Sequence, residues 1–160
     1  MIQAAPVSNN PAAPILNCLT LELPDRLLLV PNVAVAEVIN MHEPTPRPGM
    51  PAWYLGEIEW RDLPVPLICF ETLSSGRLPQ ELDKPRIVVL NAMSGIPEFH
   101  FFALRLKSIP SPLKIESEGL RTAGEVLQPF EVDSLYIGEE LYRLPDLLAV
   151  ERKLEEIGLI

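Results

Sequence analysis

Few side chains in this sequence combine the types and spacings that do chemistry. Its two histidines are His42, next to Glu43 and a run of prolines, and His100, inside the apolar stretch "FHFF". A metal site needs Cys, His or carboxylate partners at set spacings, and neither histidine has them. His100 reads as a partly exposed strand residue. Glu57 and Glu59 lie two apart, the spacing of one solvated strand face. The eight glycines form no GxSxG elbow, GxGxxG turn or phosphate loop. No catalytic residue, metal or cofactor is therefore expected. The chemistry that remains is recognition. In "EIEWRDLPVPL", Arg61 and Asp62 fall between two strand-like runs, with Trp60 before them. Arg and Trp are the residue types enriched at interface anchors, and one charge-assisted hydrogen bond from Arg61 to a partner carboxylate contributes roughly 1.5–3 kcal/mol. A solvated surface arginine is the alternative.

The elements that would hold such a tip are strands. Leu19, Leu21 and Leu23 alternate with Thr20 and Glu22, the period of a half-buried strand. "RLLLVP" and "VAVAEVI" (33–39) follow. Pro44, Pro46, Pro48 and Pro51 then impose an extended or turning loop. Ile58 and Trp60 alternate with the glutamates, and the apolar run from Leu63 to Phe70 returns from the tip. A helical turn near 71–75 and a loop over 76–85 close the first half. The second half repeats the theme with "RIVVL" at 86–90, "FHFFALRL" at 99–106, a strand near Leu113 and the hairpin-like "SLYIGEELYRL" at 134–144. Leu147, Val150, Leu154 and Ile157 follow Pro145 at three- and four-residue spacing, one face of a helix. Short strands about ten residues apart, without βαβ alternation, predict an all-β fold with a C-terminal helix.

Composition narrows the function class. With 22 Asp and Glu against 13 Lys and Arg, the net charge of -9 excludes a nucleic-acid binder, which needs clustered cations. A hydrophobic fraction of 48% supports a folded globule; residues 1–14 lack periodicity and read as a disordered tail, leaving 15–160 as one domain. No apolar run reaches the roughly 18 residues of a membrane span, and the start of the chain lacks the charged and apolar regions of a secretory signal. Direct membrane insertion is not expected, and the location expected is cytoplasmic. There Cys18 and Cys69 stay reduced and act as small core hydrophobes.

The hairpin also carries a likeness. "VAEVI" (35–39), a proline-containing loop, then "PAWYLGEIEWR" and "LPVPLI" resemble the CheW family of chemotaxis adaptor domains, with Glu37, Gly56, Arg61 and Pro66 on the family's positions at matching spacing. "RIVVL", "FHFFALRLKSI" and "GEELYRLPDLLAV" resemble its later elements more loosely. The likeness spans 16 to about 155. It implies two five-stranded SH3-like barrels packed together along a hydrophobic seam. It also implies a non-enzymatic adaptor that links methyl-accepting chemoreceptors to the regulatory domain of a CheA-type histidine kinase. The chain departs from the pattern at Asp62, where the family has the tip glycine, and at Cys69 and Leu104, where it has aspartates; Pro64 is an addition. These departures resemble the accessory adaptors of pilus-linked chemosensory systems, the ChpC type.

On that resemblance Glu37, Gly56, Arg61 and Asp62 would form a kinase interface, and Val35, Leu106 and Ile109 a receptor-binding seam. Each has a structural alternative. Glu37 could pair with Arg61 or a lysine across the sheet, worth under about 1 kcal/mol. Gly56 would serve the backbone through an unusual φ or a close approach, and the three apolar residues could be ordinary core. Asp62 tolerates a tight turn and could cap it locally. Pro64 and Pro66 strip amide donors from one side of their strand, either at a barrel corner or at a surface that binds through side chains. A rival function is a ligand-binding or catalytic barrel with a polar pocket between the two subdomains; a third keeps the fold but binds only one of the two partners.

Overall fold

The computed structural model describes residues 15–116 and 120–160; the tail expected over 1–14 lies outside them. In chain order the elements are β1 (Ile15–Glu22), β2 (Leu27–Pro31), a 3-10 turn (Asn32–Ala34), β3 (Val35–Asn40), β4 (Tyr54–Trp60), β5 (Leu63–Ile68), α1 (Phe70–Ser75), β6 (Arg86–Asn91), β7 (Phe101–Leu106), β8 (Ser111–Glu116), β9 (Arg121–Thr122), β10 (Glu131–Ile137), β11 (Glu140–Pro145) and α2 (Leu147–Glu156). The all-β expectation with a terminal helix holds. Boundaries move by a residue or two: β3 starts at Val35 because the 3-10 turn occupies 32–34, and β7 starts at Phe101, leaving His100 exposed before it.

Two sheets form, with strand orders β8-β1-β2-β11-β10-β9 and β3-β6-β7-β5-β4. They do not coincide with the two halves of the chain. The leading hairpin of the first half, β1–β2, completes the sheet of the second half, and the leading hairpin of the second half, β6–β7, completes the sheet of the first. The chain crosses between sheets after β2 and after β7, where the Lys107 N–H donates to the Glu22 carbonyl at 2.8 Å. Each half therefore needs the other to close its own sheet.

Within this exchange, two units match position for position. Strands Tyr54–Trp60 and Glu131–Ile137 each carry a register shift after their first residue, each turn through a two-residue tip, and each return as a six-residue strand that pairs in parallel with a strand of the other half's hairpin. A helix then begins two residues later, at Phe70 and at Leu147.

Packing follows alternation. Ile87, Val89 and Ala103 join Ile58, Trp60, Val65 and Leu67 inside the five-stranded barrel. The intervening Val88, Leu90, Phe102, Leu104 and Leu106 face the other way, into the main core with Leu21, Leu28, Val30 and the α2 residues Leu147, Val150 and Leu154. A third cluster of Cys18, Leu29, Ile115 and Tyr142 fills the six-stranded barrel. The seam between subdomains is thus the largest core of the molecule, and strands buried on both faces, such as "RIVVL", lose their polar alternation.

Two ionic devices tie the subdomains. Glu131, its side chain fully buried, accepts from Arg26 at 2.9 Å, Arg143 at 3.0 Å and the Gln128 N–H at 2.9 Å. Arg26 also donates to Ser74 of α1 at 2.7 Å. On α2, buried Glu151 accepts the N–H groups of Met93 and Ser94 at 2.9 and 3.0 Å, fixing the helix to the loop after β6.

Candidate functional site

The hairpin tip is positioned by its strands. Arg61 and Asp62 have φ of +51° and +63°, the signature of a type I′ turn, whose twist matches that of paired strands. Trp60 and Leu63 are the register pair that flanks it. In a two-residue hairpin the flanking pair is hydrogen-bonded and pairing alternates from there, so Pro64 and Pro66, opposite Glu59 and Glu57, fall at non-bonded positions. Their missing donors face away from β4. On that side β5 pairs with β7 only at Leu67 and Ile68, and the prolines leave the remaining stretch unable to template a strand. Strand addition at this edge is blocked, which leaves the side chains as the tip's means of contact.

Those side chains form one assembly. Trp60 is buried, edge-on to Phe101 at 4.7 Å between ring centroids, and its indole N–H donates to Glu37 Oε1 at 2.8 Å. Because β3 and β4 are opposite edges of their sheet, this bond shows the sheet curling until its edges meet. Arg61 lies over the Trp60 ring at 4.7 Å and pairs with the same Glu37 oxygen at 3.3 Å. The structure thus brings Glu37 and Arg61 together, as the structural alternative expected, and leaves the Arg61 side chain 68% exposed. Trp60, absent from the expected site residues, is the pivot of this assembly; its place at period two after Ile58 marked it as inward-facing.

Gly56 sits at the bulge with φ +135°, and a Cβ there would lie 2.6 Å from the Thr45 carbonyl oxygen. Both expected backbone reasons hold: the proline loop bridges onto β4 here through paired Thr45–Glu57 backbone bonds at 2.9 Å. Asp62 is exposed, but among the described residues its carboxylate takes part in no hydrogen bond or ion pair, so the expected local cap is not formed.

The apolar site residues separate. Leu106 is fully buried in the main core and has no surface to offer a partner; its sequence neighbourhood suits core and interface equally, and burial decides for core. Val35 is half-buried and pairs with Leu90 at one end of β3. Ile109 is 62% exposed at the other end, in a groove of about 510 Å³ with Glu37, Val38, Ile39, Asn40, His42 and Arg86. Of the expected trio, Ile109 alone lines this groove.

Two of the family departures, Cys69 and Leu104, lie close together near the start of α1, Leu104 pairing with Ile68 just before Cys69. Cys69 is its N-cap residue and supplies no side-chain cap; burial, then the nearby Glu71 carboxylate, push its thiol up to about 11. Beside it Arg105 and Glu71 are buried 3.6 Å apart, with both Glu71 oxygens and Arg105 Nε lacking a hydrogen-bond partner. Leu104 is fully buried in the seam.

A polar groove of about 600 Å³ does lie at the subdomain junction, lined by Arg26, Arg77, Lys107, Glu131 and Arg143 among others. Its innermost charges are committed to one another. Burial alone would lower the Arg26 pKa, but hydrogen bonding and attraction from Asp25, with Glu131, raise it on balance.

Sequence and structure comparisons agree with this architecture. The CheW-like domain family matches residues 17–148. The chain belongs to that family. No curated protein sequence gives a match. The crystal structure of the scaffolding protein TtCheW from Thermoanaerobacter tengcongensis shares the fold at a TM-score of 0.68 and 15% identity, over 81% of this chain and 88% of that one. Among the described residues no helix of this CheW-like domain is long and apolar enough to cross a membrane.

Proposed function

We propose that this CheW-like protein is a non-enzymatic adaptor of a chemosensory array. One face, the β4–β5 tip with Arg61 and Asp62, backed by Glu37 and the Gly56 bulge, docks the homologous regulatory domain of a CheA-type histidine kinase. The other, the groove along β3 lined by Ile109, with Val35 further along the same strand, takes the helical tip of a methyl-accepting chemoreceptor as a helix in a groove. The observation that carries the kinase face is the Arg61 assembly. The guanidinium is held in place by Trp60 and Glu37 yet mostly exposed, beside exposed Leu63 and Pro64, so little side-chain freedom is lost when a partner carboxylate arrives. Departures at Asp62, Cys69 and Leu104 favour an accessory adaptor of a pilus-linked system. The junction groove is the feature that would favour a ligand-binding barrel, but its buried charges already satisfy one another.

Pull-down from the native cytoplasm, with bound proteins identified by mass spectrometry, tests this. Wild type is expected to retain a histidine kinase and a chemoreceptor, and Arg61→Glu to lose the kinase alone. Folded wild type that retains neither would overturn the reading.

A further inference from the structure

The two matching hairpin–helix units allow one part of the molecule to serve as a control for another. Both tips are two residues long and flanked by corresponding pairs, Trp60–Leu63 and Ile137–Glu140. In the second unit the left-handed position falls on Gly138, φ +63°, where glycine is at no disadvantage. The first unit places two side-chain-bearing residues, Arg61 and Asp62, in that region, which is unfavourable for an L-residue, less so for Asp. The fold does not demand this, since its own second copy of the turn does without.

Arg61 gains contacts in return, over Trp60 and against Glu37. Asp62 gains none: it is exposed, and no described group bonds its carboxylate. A charged residue kept in an unfavourable backbone conformation without an intramolecular partner points to a partner outside the molecule. Asp62 stands directly after Arg61, with Cα atoms about 3.8 Å apart, on a tip whose neighbours Leu63 and Pro64 are exposed. A surface complementary to this tip needs two opposite charges side by side.

Resting on the kinase-docking reading above, we infer that Asp62 determines partner specificity: the cognate regulatory domain presents a lysine or arginine to Asp62 next to the carboxylate that meets Arg61. Adjacent opposite charges fix register and reject partners that offer only a carboxylate, because Asp62 would then repel it.

The test is titration of purified protein with the purified regulatory domain of the CheA-type kinase from the same cell, at low and physiological salt, beside urea unfolding. Asp62→Asn, which keeps the size and tolerance of the left-handed region, is expected to bind at least fivefold more weakly at low salt, with the gap narrowing as salt rises. Asp62→Lys is expected to bind more weakly still. Asp62→Gly, with a turn no less stable than wild type, should show the same loss as Asp62→Asn. Wild-type affinity in Asp62→Asn and Asp62→Lys would overturn this inference while leaving kinase docking intact; no binding by wild type would overturn both.

Discussion

The unit at 54–75 and the unit at 131–156 share strand lengths, bulge, tip length and helix placement, yet they are finished differently. The second follows local rules. Gly138 takes the left-handed tip position, and Asp146 caps α2 by accepting the Ala149 N–H at 3.1 Å. The helix ends in a Schellman arrangement, with Leu159 N–H on the Leu154 carbonyl, Gly158 N–H on that of Glu155, and φ +80° at Gly158. The first unit shares the left-handed glycine at its helix end, Gly76 at φ +80°, but breaks the other rules: charged residues at the tip, an uncapped Cys69, and a buried Arg105–Glu71 pair with unpartnered atoms. Foldability alone selects the second pattern. The first unit carries what folding does not require, and its tip is the docking face proposed above.

Substitutions that treat the two units unequally sharpen this contrast. The largest effect is expected at Glu131, where the second unit is anchored. Glu131→Gln leaves Arg26 and Arg143 without their buried counter-charge and should lower stability by about 3–5 kcal/mol in urea unfolding; a loss below about 1 kcal/mol would mean that the junction is held by apolar packing alone. Next is Gly56→Ala, whose Cβ would meet the Thr45 carbonyl oxygen. It should cost roughly 1–3 kcal/mol and loosen the proline loop, seen as faster amide exchange at Thr45 and Glu57. Alanine at Gly138 is the comparison: open space surrounds that position, so only the φ penalty remains.

The caps differ by less. Asp146→Ala should lower stability by about 1 kcal/mol, whereas Cys69→Ser gives α1 the acceptor it lacks and should be neutral or gain up to about 1 kcal/mol. A clear loss in Cys69→Ser would show that the thiol's packing beside Thr72 and Arg105 outweighs the missing cap. Because burial pushes the Cys69 thiol from an ordinary value of 9.0 up to about 11, the folded state binds the extra proton between those values. Stability should therefore fall as pH rises through that window, and Cys69→Ser should flatten the slope.

Much of the architecture is legible in residue order. Period-two alternation marks β1 and β4, the three- and four-residue spacing marks α2, and the proline positions bound the loop that bridges to Glu57. The exchange of hairpins between halves is not legible, because it depends on pairings such as Leu67 with Ala103 and Arg143 with Leu28, set by packing between distant segments. Buried carboxylates divide the same way. Glu151 lies buried beside Leu147, Val150 and Leu154 on α2, at a spacing compatible with that face; Glu131, in "FEVDSL", looks like any surface acid until Arg26 and Arg143 are placed beside it. Arg61 and Glu37 are legible as a pair because strand spacing and the family pattern coincide there. Leu106 is not, since an apolar residue looks the same in a core and in a seam.

In the proposed arrangement the first tip, and not its structural counterpart, is the kinase face. It is tested most directly by calorimetric titration of the kinase regulatory domain into wild type, Arg61→Glu and Glu139→Lys, each first shown to be folded. Arg61→Glu is expected to bind on the order of a hundredfold more weakly, the loss of one charge-assisted contact of about 2.8 kcal/mol, and Glu139→Lys to keep wild-type affinity. Equal affinity across all three, or loss confined to Glu139→Lys, would contradict it.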